Sequence, residues 1–150
     1  MPLATSIPKF ERFFRLAASL DIDKEDLRRY EEFINHKIND FVVRAEGVAK
    51  ANVRDIIMPF DLPVTKGLQE RMHEFRKLDA EVGLQEELNK LVKLPRTDLD
   101  YFEDTEGELR RIAGGLTLAL ARSFRIVDPA MKNPMTEHWQ RAFALYDLLL

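Results

Sequence analysis

Histidines and carboxylates are the first residues to consider for catalytic or metal chemistry in this sequence. The chain has three histidines, His36, His73 and His138. Glu70 and His73 form one E-x-x-H motif in a segment with helical periodicity. Carboxylate-bridged metal centres in helical bundles use two such motifs with further inward glutamates, and this sequence has no second copy. A solvated helix face explains Glu70 and His73 better, and we expect no metal.

Motifs for nucleophilic catalysis and nucleotide binding are also missing. The chain has no cysteine, which excludes thiolate nucleophiles, thiolate metal sites and disulfide bonds. No GxGxxG, P-loop, GxSxG or HExxH pattern occurs. Gly114 and Gly115 lie inside a helical pattern that no strand precedes, so they indicate a close helix crossing rather than phosphate binding. We expect a non-enzymatic protein with no catalytic residues and no cofactor.

Basic side chains on two short segments are candidates for binding DNA. Lys9, Arg12 and Arg15 recur every three residues, opposite the apolar side of the first helical segment. Lys90 and Lys93 stand on the matching segment of the second half. These side chains could contact DNA phosphates. An ordinary solvated helix face produces the same pattern, so the spacing alone leaves both interpretations open.

The overall charge does not favour a strong polyanion binder. The chain has 23 Lys and Arg against 26 Asp and Glu, whereas nucleic-acid-binding domains usually carry a basic excess. Residues 1–78 hold 14 basic and 13 acidic residues, and residues 79–150 hold 9 and 13. No apolar run approaches the roughly 18 residues of a membrane span. We expect a soluble, cytoplasmic protein that does not bind membranes.

The first half has the pattern of a short helix, a long helix and a third helix. Periodicity predicts the first over residues 8–18, with Pro8 near its start. Asp23 is a natural N-cap for a long helix over about residues 24–52 with a wide apolar face. Residues 54–63 suit a short extended segment. Asp61 with Pro63 predicts the start of a third helix running to about Leu78.

The second half repeats this order. Helices are predicted over residues 83–94, 101–127 and 135–150, and the last has Trp139, Phe143 and Leu148 as its apolar residues. At an offset of 77, Asp21-Ile22-Asp23 meets Asp98-Leu99-Asp100, and both triplets precede a long helix. The repeat is weak in residue identity but consistent in layout. We predict an all-α, compact domain over residues 1–150, built from halves 1–78 and 79–150.

Short–long–short helices with a long middle helix resemble the histone fold. Residues 54–62, R-D-I-I-M-P-F-D-L, resemble the archaeal histone pattern R-K-T-[VI]-K-A-E-D-I. Upstream, E-R-F-F-R-L-A-A resembles the first-helix pattern G-R-I-I-K-D-A-G. The whole chain is similar to a bacterial family of tandem histone folds without an established function. The resemblance implies that both halves pair within one chain as a handshake pseudo-dimer, which would be a monomer in solution.

The resemblance also assigns roles to individual residues. It implies that Arg54 and Asp61 form a structural salt bridge, and that Arg12 occupies a DNA-facing position of the first helix. It places Asp21 and Asp55 at loop positions where histones carry basic DNA contacts. Arg96 and Lys132 stand near the corresponding loops of the second half.

These roles lead to two predictions of function. Because acids replace basic residues on the loops, we expect a protein-interaction or architectural module with weak or no DNA wrapping, and with an unidentified protein partner. The alternative is a DNA-binding, nucleoid-associated histone-like protein, which would use the basic face of the first helix.

Overall fold

The computed structural model describes residues 2–150, with side chains described from Ile7 onward. Over this range the chain forms six α-helices, a 3₁₀ turn (Pro59–Asp61) and two short strands. The helices are α1 (Pro2–Ala18), α2 (Lys24–Ala51), α3 (Lys66–Asp79), α4 (Leu84–Leu91), α5 (Glu103–Val127) and α6 (Thr136–Leu149), and the strands are β1 (Ile56–Ile57) and β2 (Asp100–Tyr101). The predicted helical fold class is confirmed. No helix between residues 2 and 150 is both long and apolar enough to cross a membrane.

The first two helices match the predicted apolar pattern but not every boundary. Pro8 lies inside α1 instead of near its start. A proline lacks the N–H donor and its ring crowds the carbonyl four residues before it, so prolines favour the first turn of a helix, and this preference led to the predicted start at Pro8, which is wrong here. The long helix α2 begins after Asp23, whose side chain accepts the Asp26 N–H while Asp26 accepts the Asp23 N–H. This reciprocal capping explains why α2 starts where predicted.

The third helix begins later than Asp61 and Pro63 predict. The Asp61 carboxylate accepts the N–H of Met58 at 2.9 Å and so closes the 3₁₀ turn. Thr65 is the N-cap of α3, and its hydroxyl accepts the Leu68 N–H at 3.1 Å. The predicted start is wrong because this segment contains two successive capping residues, and the first of them caps only the 3₁₀ turn.

The short helix α4 ends at Leu91, before the predicted residue 94. The buried Asp79 carboxylate caps its start by accepting the N–H groups of Leu84 and Gln85 at 2.6 and 2.9 Å. After α4, the Asn35 side chain of α2 accepts the Lys93 N–H at 3.1 Å. This tertiary hydrogen bond holds the chain in a non-helical path towards Pro95.

The loops of the two halves meet at both ends of the molecule. β1 and β2 pair in parallel, with Ile56 opposite Asp100. The Asp100 N–H donates to the Asp55 carbonyl at 3.0 Å. At the other end, the Asp21 N–H donates to the Lys132 carbonyl at 2.7 Å. Each loop of the first half therefore lies beside a loop of the second half.

The core lies between the two long helices and is rich in aromatic rings. Phe10 and Phe14 of α1 pack edge to face on the Tyr30 ring, with centroids 5.1 and 5.7 Å away. The buried Tyr30 hydroxyl bonds to Thr117 of α5, and Thr117 also donates to the Ala113 carbonyl at 2.7 Å. Burial raises the pKa of Tyr30, which stays a neutral phenol. This contact joins the two halves at the centre of the core.

The third helices cover the long helices in two ways. α3 lies against α5, where a Cβ on Gly114 would come within 2.6 Å of the Phe75 ring. Gly114 and Gly115 thus permit the close crossing predicted for them, with α3 as the partner. α6 lies against α2 and α5 through Trp139, whose indole N–H donates to Asp26 at 2.8 Å. Leu148 belongs to the apolar residues predicted for the last helix, but it is 79% exposed.

Candidate functional site

Arg54 and Asp61, the two residues expected to form a salt bridge, contact each other beside β1. The guanidinium donates to both carboxylate oxygens, at 2.6 and 2.7 Å. Hydrogen bonding from Arg54 holds the pKa of Asp61 below its ordinary value. Asp61 is buried, and its oxygens accept from Arg54 and the Met58 N–H. The pair braces the loop and offers no reactive group to a substrate.

The loop end around β1 and β2 carries mixed charges. Asp55 and Arg96 are exposed there. Lys50 lies 3.4 Å from Asp98 and 2.8 Å from Glu46. These contacts combine cations with at least as many acids, so this end presents no basic stripe.

The opposite loop end is similar. Arg15 of α1 lies 3.3 Å from Asp21, whose carboxylate neutralises it. Lys132 is exposed beside Asp21. One of the predicted DNA-binding cations at this end is therefore already paired with an acid.

The basic face of α1 is partly neutralised by α4. Lys9 lies 3.4 Å from Glu87 and 3.7 Å from Glu86. Arg12 is exposed, and within residues 7–150 no acidic side chain comes within 4.0 Å of it. The same holds for Lys90, Lys93, Arg96 and Lys132. Since Lys9 bridges α1 to α4, the basic residues of α1 and Lys90 lie on adjoining helices, and Lys93 lies just beyond the end of α4.

A cluster of possible metal ligands occurs at a place where no metal site was predicted. His36, Asp40 and Asp147 bring ligand atoms within 4.8 Å of one another. His36 and Asp40 are four residues apart on α2, a spacing visible in the sequence, but only the fold adds Asp147 of α6. Lys37, 1% exposed, donates to Asp40 at 3.3 Å and to Asp147. Its ammonium lowers the pKa of Asp147 and already supplies a positive charge to both carboxylates.

The predicted E-x-x-H pair shows no ligand geometry. Glu70 and His73 are both exposed on α3. Glu70 lies 3.0 Å from Lys66 and 3.2 Å from Arg71. Its carboxylate serves surface ion pairs, as a solvated helix face would.

An apolar groove runs between the start of α3, the second half of α5 and the end of α6. It has a volume of about 560 Å³. Three of its lining side chains, Ile126, Leu145 and Leu149, are 81%, 48% and 88% exposed. We call it the leucine groove; its other lining residues include Leu68, Arg71, Leu116, Ala119, Arg122 and Tyr146. The sequence indicates only an apolar last helix, not which leucines stay exposed.

Two arginines lie in the leucine groove and share one carboxylate. Glu74 accepts from Arg71 at 2.7 Å and from Arg122 at 2.6 Å. Hydrogen bonding from Arg122 is the main reason that the pKa of Glu74 is lowered. The Arg71 Nε is buried and has no hydrogen-bond partner in the described part of the chain. The groove thus combines apolar walls with two arginines, of which Arg71 also lies 3.2 Å from Glu70.

A second cavity, of about 640 Å³, lies between α3, α4 and the first half of α5. Arg76, Arg110 and Arg111 line it. Glu106 lies 2.5 Å from Arg110, and Glu108 lies 2.8 Å from Arg111. These ion pairs offset most of the positive charge.

Known relatives share this fold over nearly the whole chain. The family model described as a domain of unknown function, DUF1931, matches residues 10–147. This chain belongs to the DUF1931 family. An uncharacterised protein from Aquifex aeolicus (strain VF5) is 30% identical over 110 residues, which are 73% of this chain and 64% of that protein. The chain therefore spans slightly less than two thirds of that relative.

Two solved structures resemble this DUF1931 member closely. A crystal structure of a Thermus thermophilus protein is 46% identical, with a TM-score of 0.83, and the match covers 96% of this chain and 97% of that one. The crystal structure of protein AQ328 from Aquifex aeolicus is 26% identical, also with a TM-score of 0.83, over 97% of this chain and 95% of that one.

The surfaces of this DUF1931 member differ in what they can bind. Both loop ends present acids beside cations, whereas the leucine groove presents exposed apolar side chains with two arginines. Large exposed apolar patches on soluble domains mark interaction sites. The groove is therefore the strongest candidate functional site.

Proposed function

We propose that the chain is a tandem pair of histone folds that pair within one polypeptide as a handshake. Three features support this proposal: the short–long–short order occurs twice, α2 crosses α5 at the Tyr30–Thr117 contact, and each loop of one half lies beside a loop of the other. The Arg54–Asp61 pair adds the brace that the histone resemblance implies.

We propose that this pseudo-dimer is a non-enzymatic protein-interaction or architectural module that binds DNA weakly or not at all. The observation that carries the proposal is the position of Asp21 and Asp55. Both lie exposed on the paired loops, where a histone would present basic residues to phosphates. Phosphate contacts supply most DNA affinity, and an acid at such a position replaces attraction with repulsion.

The apolar surface of α6 supports protein binding. Leu148 and Leu149 are 79% and 88% exposed, next to Ile126 and Leu145. Clustered exposed leucines on a soluble domain favour association with another apolar surface. A DNA-binding protein gains little from such side chains, because its affinity comes from cations.

DNA binding is the second candidate function, and one observation favours it. Arg12 on α1, Lys90 on the adjoining helix α4 and Lys93 just beyond the end of α4 are exposed, and over residues 7–150 none has an acidic neighbour within 4.0 Å. They could contact a duplex that does not approach the loops.

DNA binding measured as a function of salt concentration tests the proposal. Wild-type protein is expected to bind duplex DNA without sequence preference and with a Kd no tighter than about 10⁻⁴ to 10⁻⁶ M. The double substitution Asp21→Arg with Asp55→Lys should tighten binding and steepen the salt dependence by up to about two phosphate contacts. The loop backbone hydrogen bonds do not involve these side chains, so the fold should persist.

The matched control is Glu32→Lys with Glu81→Lys. Both glutamates are exposed, lie away from the paired loops and form no ion pair within the described residues, so the change in net charge is the same. Screening limits charge effects to roughly 8 Å at physiological salt, and the control should tighten binding less. If both double variants gain the same DNA affinity, the paired loops do not face DNA. Tight wild-type binding at physiological salt would favour the nucleoid-protein alternative.

A further inference from the structure

We propose that the leucine groove is the docking site for an amphipathic helix of another protein, with acidic residues flanking that helix's apolar face. This inference rests on the proposed protein-interaction function and specifies its surface and its partner.

The shape of the groove suits a helix. α3 and α6 form its two walls and α5 forms its floor, with Leu116, Ala119 and Ser123 at successive turns of α5. Its volume of about 560 Å³ lies within the usual range of ligand sites. Helix-in-groove recognition places apolar residues at positions i, i+3, i+4 and i+7 into such a surface.

Three apolar side chains at the rim of the leucine groove remain exposed to water in the free protein. Ile126 stands at the α5 side, and Leu145 and Leu149 stand one turn apart on α6, all with much of their side-chain surface in water. Burial of an aliphatic side chain is favourable in proportion to the apolar area removed from water. A partner helix lying along the groove would cover all three at once.

The positive charge of two arginines in the leucine groove favours acidic residues beside the apolar face of the partner helix. Its lining includes Arg71 and Arg122 but no acidic residue among the described side chains. A guanidinium carries five N–H donors. The Arg71 Nη2 contacts both Glu70 and Glu74, and the Arg122 Nη2 contacts Glu74. The Nε and Nη1 of Arg122 have no acidic partner within the described residues, and they are the donors that a partner can reach, because the unpaired Arg71 Nε is buried. A carboxylate on the partner is the complementary group, because charge-assisted hydrogen bonds to arginine are strong and directional.

A second copy of this chain fits less well than a separate partner. Its exposed apolar helix is α6, where the acidic residues are Glu137 and Asp147. Asp147 is held by the buried Lys37. Glu137 lies eight residues before Leu145, about 12 Å along the helix axis. An α6 docked through its leucines would bring no unpaired carboxylate to Arg71 and Arg122.

A fluorescent peptide tests the proposal on the full-length protein. The probe has about 16 residues, alanine-based to favour a helix, with leucines at i, i+3, i+4 and i+7 and glutamates on both sides of the leucine face. The comparison peptide replaces each glutamate with lysine. Fluorescence anisotropy should show binding of the glutamate peptide at least about tenfold tighter than that of the lysine peptide.

Substitutions in the groove show where the peptide binds. Ile126→Ser with Leu149→Ser removes exposed apolar contacts without disturbing the core and should weaken binding by about tenfold or more. Arg122→Gln should remove the preference for the glutamate peptide. The matched control, Leu16→Ser with Val43→Ser, removes two exposed apolar residues outside the groove and should leave binding unchanged.

Each other outcome overturns the inference. Binding that persists in the Ile126→Ser, Leu149→Ser variant would mean that peptides dock on another surface, which refutes the groove but keeps the protein-interaction function. Equal binding of both peptides refutes the acidic partner. No binding of either peptide refutes the groove, while the DNA measurement decides the function separately. Wild-type dimers in sedimentation equilibrium that the groove variant abolishes would identify a second copy as the occupant.

Discussion

The third helices of the two halves, α3 and α6, cover the long helices with different chemistry. α3 approaches α5 so closely that a Cβ on Gly115 would lie 2.5 Å from the Met72 side chain and 3.1 Å from its backbone nitrogen. α6 is held by rings instead, with the Trp139 centroid 4.9 Å from that of Phe124 and the Phe143 ring stacked on Phe33 at 5.4 Å. Glycines bring one helix close, and aromatic side chains hold the other further away.

The loops that lead into these helices differ as well. Arg54 and Asp61 brace the start of the first half's third helix, and at the offset of 77 they correspond to Met131 and His138. Met131 is buried, and His138 Nδ1 accepts the Met135 N–H at 2.9 Å. One turn is closed by an ion pair with a buried carboxylate, and the other by a local hydrogen bond and an apolar contact. The common layout therefore depends on how the segments pack and not on identical residues.

Separating the two halves is expected to have the largest effect. Fragments 1–78 and 79–150 should each be poorly folded alone, because each exposes the long-helix face that the other buries. Circular dichroism should show helicity returning when the fragments are mixed. A cooperative melt of either fragment alone would mean that each half folds independently. It would contradict the prediction that the halves need each other to fold.

Gly115→Ala tests the close approach of α3. Alanine normally stabilises a helix interior by about 0.5–1 kcal/mol relative to glycine. Here the added Cβ meets the Met72 backbone, so overpacking should lower the free energy of unfolding by about 1–3 kcal/mol. Gly47→Ala in α2 is the control, because nothing lies within 4 Å of its Cβ position, and it should stabilise the protein. Thermal melts of both variants compare them, and stabilisation by Gly115→Ala would show that α3 sits further from α5.

The Arg54–Asp61 brace should have a smaller and pH-dependent effect. Asp61→Ala should cost about 1–3 kcal/mol, because it leaves buried donors unsatisfied. Arg54→Ala and Asp61→Ala should be non-additive in urea denaturation, with the double variant less destabilised than the sum of the single variants. Additive losses would mean that the two side chains do not interact in solution.

The pH dependence follows from the lowered pKa of Asp61. A carboxyl whose pKa is lower in the folded state contributes stability above its unfolded pKa of about 3.9, and this stability is lost as pH falls through the folded pKa. Below about pH 4, Asp61→Asn should therefore flatten the decline in stability relative to wild type. If Asp61→Asn and wild type lose stability equally below about pH 4, the titration of Asp61 does not contribute to the acid-induced loss of stability.

The sequence predicts the helices better than their ends. The apolar steps of α2 and α5 recur over many turns, so their lengths could be predicted to within about two residues. Pro8 and Asp61 mark where prediction failed: the proline does not begin α1, and the aspartate caps a 3₁₀ turn ahead of the helix. The residue at which a helix begins depends on individual hydrogen bonds, and these leave no periodic pattern in the sequence.

The candidate site was less accessible to prediction than the fold. Arg54 and Asp61 could be paired through a family resemblance, which also implied that the two halves contact each other. The leucine groove could not be predicted, because Leu145, Leu148 and Leu149 look like ordinary core residues in a helical pattern. Their exposure depends on how far the Trp139 and Phe143 rings hold α6 from its neighbours, which is a property of packing.

The junction between the halves has a consequence for how the chain assembles. Residues 80–83 join α3 to α4 in a tight turn, where Gly83 adopts a φ of +79° and its N–H donates to the Asp79 carbonyl at 2.9 Å. Because this connection is short, each half experiences the other half at an effective concentration in about the millimolar range. Pairing within the chain should then dominate at ordinary protein concentrations, and the folding rate should not depend on concentration. A residue that could not adopt the left-handed turn would straighten the junction and favour exchange of halves between two molecules.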